Sequence, residues 1–343
     1  MKLVYTNSFR LALVIFLVVG SFSAQAQDIH FSQFYNSPAN LNPALTGVFG
    51  GDLRFIANYR SQWKSVPVDY RTVSGAFDSK LFHKAFGKKS YLGYGLVFNN
   101  DVAGDAEIGI SQIGANLSFT HQLSDALYAS VGAQFALGQR SISPQKLSYE
   151  EQWNGDIFDP NRSNGEGFAI TSKGIASIST GLNLHYQLDG TRTKLDLGSG
   201  IFHLNQPNTS FEGEYAANLP MKFSPYLLTT FELSPKLDLR INGLFSKQLS
   251  YQEAMAGAAI RYHFSTVKNA ELNAQIGIAM RFGDALIPSL ELQYRNWTAG
   301  FSYDMNTSSF DVATNQRGGP EFFLQYILWK VHPPKEYKAC PVF

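Results

Sequence analysis

The chain is poor in charge. Asp, Glu, Lys and Arg make up 16% of its 343 residues, against about 25% in an average soluble domain. The formal net charge is only +1. The basic excess of nucleic-acid-binding proteins is therefore missing, and no nucleic-acid partner is implied. There is a single cysteine, Cys340, which excludes a disulfide scaffold. Beyond the first 26 residues no apolar run is long enough to cross a membrane as a helix. Chemistry-bearing motifs are scarce as well. The seven histidines show no metal-ligand spacing, and neither a G-x-S-x-G elbow nor a phosphate-binding loop occurs. The sequence thus gives no reason to expect an enzyme, and it implies no cofactor.

What is abundant is aromatic and small. Phe, Tyr and Trp reach 14%, and there are 29 glycines. Intrinsic disorder calls for the opposite composition. The N-terminus carries an address. Lys2 and Arg10 flank the start of a short apolar stretch at 11–20, and Ala24-Gln25-Ala26 forms a small-x-small cleavage site. This pattern predicts a secretory signal peptide over 1–26.

From Leu53 onward the dominant period is two. Leu127, Ala129, Val131, Ala133, Phe135 and Leu137 alternate with small or polar residues. So do Leu272, Ala274, Ile276, Ile278 and Met280, and Trp297, Ala299, Phe301 and Tyr303. Strict alternation is the signature of strands with two unlike faces. A soluble sandwich would alternate too. Three features favour a membrane barrel: strands of about nine to thirteen residues, a second face rich in Gly, Ser, Asn and Gln, and aromatics near strand ends. A closed barrel is also the only β solution that satisfies every backbone group in lipid. We expect an all-β outer-membrane barrel of about 14 antiparallel strands over residues 53–330. Connections are short after strands 4, 6, 8, 10 and 12 and long after 5, 7 and 13, which matches the turn-and-loop asymmetry of outer-membrane barrels. An even count predicts both termini on the short-turn, periplasmic side. Residues 27–52 would form a periplasmic or plug segment and 331–343 a periplasmic tail. The long loop after strand 5 exposes Trp153 and Phe158, aromatic residues suited to a protein contact.

Three motifs carry a resemblance. The first is HFSQFYNSPANLNPALTG at 30–47, which contains Phe31, Gln33, Asn42 and Pro43. The second is the element Tyr59, Arg60, Gln62 and Trp63. The third is the terminus Cys340-Pro341-Val342-Phe343. Together, and in this order, they resemble the PorP/SprF family. Two positions depart from the family pattern: Asn36-Ser37-Pro38 stands where Asn-Pro is usual, and Val342 replaces an Arg. The resemblance implies an integral outer-membrane barrel of the Bacteroidota that acts with the type IX secretion system. It also implies that the barrel supports secretion or surface retention of a large adhesin- or gliding-type partner, recognised through that partner's C-terminal domain. Members are not known as enzymes. The motif residues named above become candidates for partner or plug contacts. The competing reading is a diffusion or uptake channel, since the inward face of the strands is polar.

Overall fold

A computed structural model describes residues 28–62, 69–82, 89–167, 170–211, 217–266, 270–308 and 317–329. The leader at 1–26, Trp63, and the tail with Cys340 and Pro341 lie outside the described residues.

The alternating stretches are fourteen antiparallel strands. They are β1 (Leu53–Gln62), β2 (Tyr70–Leu81), β3 (Ser90–Ala103), β4 (Ile108–Gln122), β5 (Leu127–Ser141), β6 (Ser172–Gln187) and β7 (Lys194–Phe202), followed by β8 (Lys222–Ser234), β9 (Leu237–Gln248), β10 (Tyr251–Ser265), β11 (Leu272–Arg281), β12 (Ala285–Tyr294), β13 (Trp297–Asn306) and β14 (Arg317–Leu328). Each pairs with its neighbours in sequence, and β1 closes on β14, so the sheet has no free edge. Leu53 stands opposite Leu328 at one end of this seam and Arg60 opposite Glu321 at the other. The strands run from Leu53 to Leu328, against the expected 53–330.

The two faces have opposite chemistry. On β11, Ile276, Ile278 and Met280 point outward and are exposed, whereas Asn273, Gln275 and Arg281 point inward and are buried. Outward apolar residues belong against lipid. Ile276 is 71% exposed in mid-strand. Ile276→Arg should therefore cost about 2–4 kcal/mol of barrel stability in a bilayer. Denaturant unfolding in liposomes checks this, and a neutral result would mean that the face is not in lipid.

Connections after β4, β6, β8, β10 and β12 are brief, whereas β5, β7 and β13 are followed by the long stretches 142–171, 203–221 and 307–316. The barrel thus has a short-turn rim and a long-loop rim. By strand parity, β1 begins and β14 ends at the short-turn rim. The first described residue does not lie there. Asp28 sits beside His203, Lys222 and Gln248, at the long-loop ends of β7, β8 and β9. The expectation of both termini on one side counted strands alone. Residues 28–52 cross the lumen once more and place the two ends of the described chain at opposite rims.

Inside the barrel this segment makes short helical turns at Phe34–Asn36, Pro38–Leu41 and Pro43–Leu45. The buried apolar cluster lies between it and the wall. Phe34, Leu41 and Leu45 pack on Tyr226 of β8, Met255 of β10, and Ala285 and Ile287 of β12.

Candidate functional site

The lumen segment is held at three levels. At the long-loop end, Glu321 of β14 accepts from the backbone N–H groups of Ser32 and Gln33, both at 2.7 Å. Arg60 of β1 donates to the His30 carbonyl at 2.6 Å and to Asp304 of β13 at 2.8 Å. The Ser32 hydroxyl donates to Asp304 at 2.6 Å and accepts from Arg281 of β11 at 2.7 Å. Arg281 also lies 3.1 Å from Asp304 and 2.8 Å from Glu253 of β10, the latter as an ionic contact. Arg60, Asp304 and Glu321 are each at most 2% exposed. Buried charges of this kind persist only when paired and hydrogen-bonded. The cluster therefore depends on the segment being seated, because Ser32, Gln33 and His30 supply part of its bonding.

At mid-lumen, Asn40 and Asn99 of β3 exchange side-chain amide hydrogen bonds at 3.1 and 2.8 Å. Asn42 is fully buried. Its oxygen accepts from Ala44 N at 2.9 Å, capping the turn that Pro43 begins. Its amide donates to the Leu182 carbonyl and the Tyr226 hydroxyl, both at 2.9 Å. The wall is pared down here to admit backbone. A Cβ on Gly132 of β5 would fall 2.3 Å from Ala44 N and 2.4 Å from the Pro43 carbonyl carbon, and one on Gly181 of β6 would meet the Asn42 oxygen at 1.8 Å. Nearer the short-turn rim, Asp78 of β2 grips Arg54 of β1 in two bonds of 2.9 and 2.8 Å and accepts from Gly47 N at 2.7 Å. Gly47 itself has φ +76, where glycine is favoured.

The segment fills the long-loop half and middle of the lumen. Gaps beside it there measure about 30 and 20 Å³. Toward the short-turn rim a cavity of about 520 Å³ remains, bounded by residues such as Tyr35, Leu45 and Phe49 of the segment and by the walls of β7–β14. Its lining is mixed polar, with Arg54, Lys194, Arg240, Arg261 and Arg295 against Asp196, Glu271 and Glu291.

Of the residues singled out from sequence, Phe31, Gln33, Asn42, Pro43 and Arg60 come together in the lumen, all buried. Gln33 also donates to Ser302 at 3.0 Å. Gln62 ends β1 opposite Tyr70 and joins none of these contacts. Trp153 and Phe158 stand apart on the 142–171 loop, paired across a tight hairpin and both exposed. That loop is tied down through Lys146, whose hydrogen bond and charge hold Glu107 below the usual carboxylate range. Sequence reasoning missed the wall's half of the site: Asp304, Glu321, Arg281, Gly132 and Gly181. Its signal was present, as charges of both signs and glycines at inward-facing positions of strands.

A closed fourteen-stranded barrel with a lipid-type outer face and a lumen occupied by its own N-terminal segment defines a membrane β-barrel of outer-membrane type. The model of the type IX secretion system membrane protein PorP/SprF family matches residues 23–326, and the chain belongs to that family. No curated protein matches the chain. Among solved structures it is similar to the CymD monoaromatic hydrocarbon channel at 12% identity and TM-score 0.47, covering 85% of this chain and 92% of that one. It is also similar to the Pseudomonas putida toluene transporter TodX, at 10% identity and TM-score 0.47, covering 88% and 95%. A Pseudomonas aeruginosa FadL homologue matches at 11% identity and TM-score 0.47, covering 83% and 91%.

Proposed function

We propose that the protein is a closed, non-enzymatic outer-membrane partner of type IX secretion. In this reading it supports the export or cell-surface anchoring of a large adhesin-like protein through that protein's C-terminal domain, alongside other secretion components. Family membership supports the secretion role. The observation that weighs against an open channel is the lumen segment, which is bonded to strands on every side of the barrel. A diffusion channel would need that segment to leave. The long-loop rim then faces the cell exterior and the short-turn rim the periplasm, as in other outer-membrane barrels. Trp153, Ile157 and Phe158 give the outer rim an exposed apolar tip suited to a protein contact.

The test is affinity purification of the tagged protein from detergent-solubilised native outer membranes, followed by mass spectrometry. A very large secreted protein or a type IX component in near-stoichiometric amount is expected. A folded barrel that is reproducibly recovered alone would overturn the anchoring role in favour of the channel.

A further inference from the structure

Every strand pairing but one joins neighbours in sequence; β1 with β14 joins the two ends of the barrel. Hairpin pairings form between nearby residues, whereas this seam bears the entropy of closing a long loop. Loop entropy therefore favours the seam as the last pairing to form.

The lumen segment crosses that seam. Glu321 of β14 stands directly opposite Arg60 of β1, yet Arg60 Nε lies 3.7 Å from Glu321 Oε2. The shorter bonds to Glu321 come from the segment: Ser32 N donates to Oε2 and Gln33 N to Oε1, both at 2.7 Å. On the β1 side, Arg60 donates to the His30 carbonyl at 2.6 Å and Asn58 to the Asn36 carbonyl at 3.3 Å. On the β14 side, the segment reaches on to β13 through Gln33 and Ser302, and Ser302 is itself paired with Glu321. At the other end of the seam, Asp52 N donates to the Leu328 carbonyl at 3.0 Å. Residues 30–36 thus hold the first and last strands together at the level where Arg60 faces Glu321.

The remaining bonds of the segment do not need the seam. Gly47 N is held by Asp78 of β2, and Asn40 by Asn99 of β3. Ser118 of β4 donates to the Thr46 carbonyl at 2.6 Å, and Asn42 donates to the Leu182 carbonyl of β6. An open sheet of β1–β6 therefore has every group needed to hold residues 40–47, and the segment runs directly into β1. A segment entering a finished barrel would instead be threaded from its junction with β1 at the short-turn rim to Asp28 at the far rim.

We propose that residues 30–36 are a clasp on the barrel seam: the segment binds the open sheet first, and β14 closes onto it. Glu321 is the docking group on β14, and the Ser32 and Gln33 N–H groups receive it. The clasp sets the rate of closure, so a barrel already closed can lose its segment without opening. It is independent of the secretion role proposed above.

The experiment folds the full-length protein from urea into liposomes and samples it over time. Each sample receives a short chymotrypsin pulse and is run unboiled, the fast-migrating band being the closed barrel. From its first appearance, the chains in that band should be uncut at Phe31, Phe34 and Tyr35, read by mass. Closed barrels that are cut there early and become protected later would overturn the clasp. Ser32→Ala and Gln33→Ala alter the segment and leave every strand residue in place. The first loses the hydroxyl bonds to Asp304 and Arg281, the second the bond to Ser302. Each should slow the appearance of the fast band at least about fivefold, the effect of one hydrogen bond already made in the transition state. Slowing of less than about twofold in both variants overturns the clasp even where unfolding becomes faster, because the segment then seats after closure. If a variant does not fold, the pulse experiment on the unaltered protein decides.

Discussion

Arg60→Ala should destabilise the barrel by about 3–5 kcal/mol, the usual consequence of removing one partner from a buried ion pair. The residue is 2% exposed and lies 2.8 Å from Asp304 and 3.7 Å from Glu321. Its loss leaves Arg281 as the cation beside Asp304 and also frees the His30 carbonyl. Arg60→Lys should recover only part of this, because an ammonium cannot serve Asp304, Glu321 and His30 with fixed, planar donors. Adding Glu321→Gln to Arg60→Ala should restore stability relative to Arg60→Ala alone, since one uncompensated charge is then removed. Denaturant titration in liposomes, read by heat-modifiable migration, checks all three. A loss below 1 kcal/mol for Arg60→Ala would mean that the cluster is solvated and that the segment does not seal it.

The second large effect is expected at Gly132. Valine there would drive a Cβ against backbone atoms of Pro43 and Ala44, at 2.4 and 2.3 Å. Backbone cannot rotate away as a side chain can, so the usual overpacking cost of about 1–3 kcal/mol is a lower bound. The cheaper response is for the segment to leave its bed while the barrel stays closed. Gly132→Val should then expose Phe31, Phe34 and Tyr35, which are sheltered in the native lumen, to chymotrypsin. Cleavage is read from the mass of the shortened chain. Gly174→Val is the control, because its added Cβ meets nothing within 4 Å. Equal protection of the two variants would contradict close seating of the segment.

The barrel itself was legible because lipid imposes period two on every strand. Leu272 to Met280 and Trp297 to Tyr303 read as outward faces and are outward faces. The contrast between rims was legible from loop lengths. The path of residues 28–52 was not. Their contacts join positions such as Ser32 and Glu321, 289 residues apart, and no local period encodes such a pairing. Asn42 and Arg60 could be singled out by motif, but not the fact that they line one lumen. By alternation alone, the inward glycines fit a face that is simply small and polar. In a strand interior, glycine also marks close approach of another backbone, and at Gly132 and Gly181 that second meaning applies. Strand parity placed the ends of β1 and β14 but could not register an extra, strandless crossing.

Planar-bilayer recording tests the central claim, that the protein's own N-terminal segment closes this barrel. The full-length protein should insert without measurable open-pore conductance, and the same protein lacking residues 28–50 should conduct steadily. Open-pore conductance from the full-length protein, unchanged by the deletion, would contradict the account and return the barrel to the channel reading.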